Sequence, residues 1–153
     1  MKSIDNWLRV DRTTVEFAKE FEFIKPNEEA IYFDNDKAVE HEWNKYFIDE
    51  SKKELKAFIT IAKEDEIVGR LFPFTSLTTL CFSRCIGYPY LADTPKVIPL
   101  IDQKDIYEVR SNYNSYLGIG NAEQVLKIVK ENLPRGIRPA VKGTADDFID
   151  KLK

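Results

Sequence analysis

Ala122, Val125, Leu126, Val129 and Leu133 recur at i, i+3, i+4, i+7 and i+11, which makes one face of the segment apolar if it is helical. Glu123 and Lys127 then form an outward i, i+4 pair. An amphipathic helix of this kind needs other elements to cover its apolar stripe. Upstream of it stand a strand-like run, Ile106-Tyr107-Glu108-Val109, and the segment Gly118-Ile119-Gly120-Asn121. Strand, glycine loop and helix N-terminus in that order make an anion site, because unpaired amides and the helix dipole both favour a phosphate or a carboxylate. Val109, Gly118, Ile119, Gly120 and Asn121 are therefore the candidate cofactor-binding residues. Gly118 and Gly120 also admit a plainer reading, a turn between strand and helix, since a lone glycine pair is a weak motif.

The rest of the chain supplies further elements. Thr13-Thr14-Val15-Glu16 reads as a capping box that opens a short helix to about Glu22. Ala30 to Phe33 reads as a short strand, after which Asp36 caps a helix carrying Val39, Trp43, Tyr46 and Phe47 on one face. Ser51-Lys52-Lys53-Glu54 is a further capping-box pattern, but the β-branched alternation that follows, Ala57-Phe58-Ile59-Thr60-Ile61-Ala62, favours a strand. With the charged reversal Lys63 to Glu66 and the return Ile67 to Phe72, residues 57 to 72 are expected to form a β-hairpin. Residues 74 to 100 are apolar and aromatic, punctuated by Gly87, Pro89, Pro95 and Pro99, and read as one or two short strands and a long loop. Pro134-Arg135-Gly136 stops the amphipathic helix, Ile137 to Val141 is a candidate strand, and Thr144 caps a last helix from Ala145 to Leu152. The expected fold is α/β or α+β: one domain over residues 1 to 153, with a central mixed or antiparallel sheet flanked by helices.

Composition narrows the function. The 153 residues suffice for a core without disulfides or metal, and 43% hydrophobic with 32% charged residues belongs to a soluble globular chain. A net charge of −3 argues against a general nucleic-acid binder, which needs basic surface to displace counterions. Residues 1 to 56 carry 14 acids and 10 bases, whereas residues 102 to 153 carry 8 acids and 9 bases, so an anionic ligand is better placed in the C-terminal third. The N-terminus lacks the apolar core of a signal peptide, and the longest charge-free run, Leu71 to Ser83, contains Pro73 and is too short to span a bilayer. The expectation is a cytoplasmic protein without a membrane segment.

In element order the chain resembles the GNAT superfamily of N-acetyltransferases, whose fold places a helix before a hairpin, then a strand, a glycine loop that binds the coenzyme A pyrophosphate, and a helix. Phe58 to Phe72 is similar to the hairpin, Tyr107 to Val109 falls where the strand lies, and Tyr116-Leu117-Gly118-Ile119-Gly120 resembles the loop. Ser115 stands where that loop carries Arg or Gln, and Ile149 where the family's last helix carries a tyrosine. The resemblance implies acyl transfer from acetyl-coenzyme A, or another small-molecule acyl donor, to an amine. Glu108 is then the base, and Tyr116 or Tyr113 protonates the leaving thiolate. Otherwise Glu108 is a surface carboxylate paired with Arg110. Glu108, Ser111, Asn112, Tyr116, Gly118 and Gly120 also resemble, more distantly, parts of the NADAR family, which acts on N-glycosidic and ADP-ribose-type linkages.

The alternative to acyl transfer is a different class of function. Phe74, Phe82, Arg84, Tyr88 and Tyr90 are residue types that anchor interfaces, so the 71 to 90 segment, with the acidic N-terminal surface, suits a non-enzymatic protein that binds another protein as an inhibitor, immunity or anti-defence factor. The bland reading of the same run is a core strand. His41 is the only histidine and reads as a helix-surface residue, which excludes a multi-histidine metal site. Cys81 and Cys85 lack zinc spacing and read as small apolar residues, so no metal is expected.

Overall fold

The computed structural model describes residues 28 to 152. The chain divides into two units, Met1–Ala38 and Val39–Lys153. The described part of the first, residues 28 to 38, is helical. The helix expected near residues 13 to 22 lies outside the described residues.

Helix α1 spans Glu28–Ile48. It runs through the strand expected at Ala30 to Phe33 and past Asp36, the expected cap. A four-residue β-prone run between good helix formers continues a helix more easily than it starts a new element. In the second unit the apolar face behaves as its spacing predicts: Val39 and Trp43 are buried, and Tyr46 and Phe47 pack against the core. A 3-10 segment, Glu50–Leu55, follows, and its cap is Asp49, whose side chain accepts from the Ser51 amide at 2.9 Å, rather than Ser51 itself.

The expected 57 to 72 hairpin is absent. Lys56–Ala62 is helix α2, and Val68–Arg70 is a 3-10 turn. Local alternation lost to burial period: Leu55, Phe58, Ile59 and Ala62, at i, i+3, i+4 and i+7, are the buried positions, and only a helix puts them on one side. Asp65 then folds the chain back tightly, its Oδ2 accepting from the Ile67 and Val68 amides at 3.0 and 2.9 Å.

Among the described residues five strands make one antiparallel meander: β1 Phe72–Ser76, β2 Thr79–Ser83, β3 Lys96–Pro99, β4 Tyr107–Arg110 and β5 Tyr116–Gly120, neighbours in that order. Together with the helices this is an α+β fold, as the sequence implies. Helix α3, Ala122–Glu131, follows β5 directly and buries Val125 and Val129, and helix α4, Ala145–Leu152, closes the described chain. Thr144 caps α4 as expected, exchanging hydrogen bonds with Asp147. The strand expected at Ile137 to Val141 reduces to a single bridge between Val141 and Cys85.

Aromatic residues fill the core. Phe58 lies 6.4 Å from Phe82 and 5.9 Å from Tyr107, and Trp43 lies 6.0 Å from Phe82 between ring centroids. Their polar atoms are satisfied: the Trp43 indole donates to Leu71 O at 3.0 Å, and the Tyr107 hydroxyl accepts from the Phe58 amide at 3.2 Å. Strand alternation sends Val97, Tyr107 and Val109 to this core and leaves Lys96, Ile98, Glu108 and Arg110 on the other face. No helix among the described residues is long and apolar enough to cross a membrane.

Candidate functional site

The residues expected to form an anion loop form a strand instead. Gly118 pairs with Val109 and Gly120 with Tyr107 in the β4–β5 ladder. Small residues are required there because α3 lies close above them: a Cβ on Gly118 would stand 2.6 Å from Ile128 Cδ1, and one on Gly120 would stand 2.5 Å from Gln124 Oε1 and 2.8 Å from Gln124 Cβ. Asn121 is the N-cap, its Oδ1 accepting from the Gln124 amide at 2.9 Å while Gln124 Oε1 accepts from the Asn121 amide at 2.8 Å. That capping box occupies two of the donors a phosphate would need. Successive strand amides point to opposite edges and cannot converge on one anion. Val109, the remaining member of the set, is fully buried in the core. The segment therefore does not fit the pyrophosphate of coenzyme A.

Glu108 and Tyr116, the expected base and acid, do come together on one sheet face. Tyr116 is the cross-strand partner of Arg110, and Glu108 is that of Ile119. Glu108 forms an ion pair with Arg110, and Arg110 Nη1 also donates to Asn114 O at 2.8 Å. A carboxylate held by a guanidinium is better placed as a fixed acceptor than as a mobile base. Tyr116 is 57% exposed and Tyr113 86% exposed. A shallow open groove lies elsewhere, between α2 and α3, with Ile61, Ile67 and Leu126 as its apolar lining and Glu123, Lys127, Lys130 and Glu131 around it. It includes neither Glu108 nor Tyr116.

The aromatic segment divides. Phe82 is fully buried between Trp43 and Phe58, so it belongs to the core and not to any binding patch. Alternation along β2 explains this, because Leu80 and Phe82 share the core-facing side. Phe74 and Tyr90 stack at 4.5 Å, Tyr90 also meets Phe72 at 5.7 Å, and Tyr88 stands edge-on to Tyr90 at 5.5 Å with 80% of its surface exposed. A hydrogen-bonded connection holds this cluster. Ser83 Oγ accepts from the amides of Cys85 at 3.0 Å and Leu91 at 3.1 Å, drawing the two ends of the loop together. Arg84 forms a bidentate pair with Asp93, at 3.0 and 2.8 Å, and lies 5.5 Å over the Phe148 ring. It clamps the loop to α4.

Sequence reasoning missed the contribution of α1 to this surface. Glu42 and Lys45, paired at 2.8 Å, act electrostatically on Tyr90. Burial pushes the Tyr90 hydroxyl up, and the Glu42 carboxylate adds to the effect. The i, i+3 spacing of Glu42 and Lys45 was visible, but their nearness to residue 90 is a tertiary fact. His41 is exposed, as expected for a helix-surface residue. Cys81 and Cys85 are free, and burial pushes the Cys81 thiol up.

Neither the curated proteins nor the solved structures give a match to the chain. A family model does match, over residues 37–144, which runs from within α1 to the cap of α4. The chain belongs to DUF6193, a family of unknown function.

Proposed function

We propose that the domain is a non-enzymatic protein-binding module whose surface is centred on Tyr88, Tyr90 and Phe74. One observation carries this reading: Tyr88 is 80% exposed while its neighbour Tyr90 is fixed against Phe72 and Phe74. An aromatic held this way presents apolar area and a hydroxyl with little side-chain entropy left to lose on binding. The Glu42–Lys45 and Arg84–Asp93 pairs border it with charge of both signs, the polar rim that interface anchors usually have. Acyl transfer is the weaker reading because the glycine segment is a strand and Glu108 is tied to Arg110. Two free cysteines suit a reducing cytoplasm as the place of action. Inhibitor or immunity-type activity, which works by occupying another protein, requires no more than such a surface.

The test is comparative capture of a partner by wild type, Tyr88→Ala and Phe74→Ser at matched melting temperature. Truncating a central tyrosine typically costs about 2 kcal/mol or more of binding. A partner retained by wild type and lost by Tyr88→Ala is the expected result. Equal capture by Tyr88→Ala, or saturable stabilisation of the protein by acetyl-coenzyme A, would overturn the reading.

A further inference from the structure

Strand register lines up one residue from each strand across the sheet face that carries Glu108 and Arg110. Phe74 pairs with Cys81, Lys96 with Arg110, and Arg110 with Tyr116. The Leu80–Val97 pairing sets Cys81 opposite Lys96, close enough for the ammonium to act on the thiol. Leu117, the extra residue at the β5 register shift, packs against the core, which returns Tyr116 to the Arg110 side. Phe74, Cys81, Lys96, Arg110 and Tyr116 thus form a row about 19 Å long, four strand spacings, with an aromatic ring at each end and two cations side by side.

Like charges directly opposite each other on adjacent strands oppose folding. Glu108 answers only one of the two. It pairs with Arg110 Nε, and Arg110 Nη1 donates to Asn114 O at 2.8 Å, so the guanidinium is held in place. Its Nη2 group has no protein partner among the described residues, and Lys96 has no carboxylate partner among them. A fixed guanidinium beside an unpaired ammonium suits a carboxylate, because little ordering remains to be done on binding. Lys96, Arg110 and Glu108 are the charged side chains that the described strands set on this face, a surplus of positive charge in a chain whose net charge is −3.

Phe74 also belongs to the Tyr88–Tyr90 cluster, so the row continues the proposed partner surface across the sheet. The pairs bordering that cluster, Glu42–Lys45 and Arg84–Asp93, are each neutral. The uncompensated charge of the surface lies in the row. Two cations with Glu42, Asp93 and Glu108 around them are too few for a nucleic-acid backbone, which binds through many phosphate contacts. We infer that the row receives an extended acidic segment of the partner protein, with a carboxylate seated between Lys96 Nζ and the Arg110 guanidinium and an apolar side chain on Phe74. This rests on the reading of the domain as a protein-binding module and adds the chemistry of the segment it takes.

NMR titration of the full chain with a synthetic peptide alternating glutamate and leucine tests this. The comparisons are the same peptide with glutamine in place of glutamate, and a single-stranded oligothymidylate. The acidic peptide is expected to give saturable shifts centred on Lys96 and Arg110 that weaken with added salt. Lys96→Gln should reduce its affinity ~10-fold while melting no lower than wild type, since one of two opposed cations is gone, and Lys96→Arg should retain binding. Acidic-peptide shifts at the row together with partner capture indifferent to Tyr88→Ala would support the row and sink only the Tyr88-centred reading. Tyr88-dependent capture without acidic-peptide binding would sink only the row. Equal affinity for the glutamine peptide, tighter binding of the oligothymidylate, shifts centred away from Lys96 and Arg110, or a Lys96→Gln variant that binds as well as wild type would each overturn the inference.

Discussion

Replacing each strand glycine by alanine gives opposite expectations for two positions that a phosphate-loop reading treats alike. At Gly120 the added Cβ would lie 2.5 Å from Gln124 Oε1 and 2.8 Å from Gln124 Cβ. The Oε1 can swing away, but only by releasing the Asn121 amide and opening the capping box, a loss of about 1 kcal/mol. The Cβ of Gln124 is fixed to the helix, so α3 must also shift, and overpacking of this kind costs about 1–3 kcal/mol. Restricting the unfolded chain returns about 0.4–1 kcal/mol. The expected net loss for Gly120→Ala is about 2 kcal/mol. At Gly118 the close atom is Ile128 Cδ1 at 2.6 Å, and the next contact is 3.6 Å away. A terminal methyl can turn aside, so Gly118→Ala should stay within about 0.5 kcal/mol of wild type. Urea unfolding of both variants, with unchanged slopes, measures the difference. In a Gln124→Ala background, where the cap is already lost, Gly120→Ala should cost about 1 kcal/mol less. Equal effects at the two glycines, or a Gly120→Ala cost unaltered by Gln124→Ala, would refute the packing argument.

Three other expectations follow from the same geometry. Tyr107→Phe leaves the Phe58 amide without its acceptor inside the core and should lower stability by about 1–2 kcal/mol in chemical denaturation. Leu77 takes the positive-φ position of the two-residue β1–β2 turn (φ 59°) while 90% exposed, so Leu77→Gly should raise stability by up to about 1 kcal/mol, read as a higher unfolding midpoint. Burial alone would raise the Asp65 carboxyl, but Lys130 at 2.9 Å and the Val68 and Ile67 amides outweigh it and hold the group below its ordinary value. A depressed folded pKa means that the stabilisation is complete above the unfolded carboxylate value and is lost as the pH falls through the folded one. Asp65→Asn should therefore cost about 1 kcal/mol at neutral pH and nothing once the wild-type carboxyl is protonated, as followed by urea midpoints across pH. A constant penalty at every pH would contradict the assignment.

Elements with strong periodicity were legible in the sequence. The face of α3, the 39 to 47 face of α1, the strand at Tyr107 to Val109 and the Thr144 cap all lie where spacing and cap chemistry put them. Residues 57 to 62 misled because β-branched alternation is a local preference, while the burial of Leu55, Phe58, Ile59 and Ala62 is set by partners up to 49 residues away, such as Tyr107 with Phe58. Gly118 and Gly120 misled for a related reason. Glycine marks either conformational freedom or close approach, and the sequence does not distinguish them; the nearness of Ile128 and Gln124 decides for close approach. For the surface, composition pointed to the aromatics between 71 and 90, yet only strand register separates core Phe82 from the exposed Tyr88 cluster.

An amide-resolved NMR titration of the full chain with acetyl-coenzyme A tests the central claim most directly, because it observes the Gly118 to Asn121 amides themselves. The account predicts cross-strand contacts between β4 and β5, slow exchange at the ladder amides, and no saturable shift at Gly118 to Asn121 when the ligand is added. Saturable shifts centred on those four residues, with loss of the β4–β5 contacts, would contradict it.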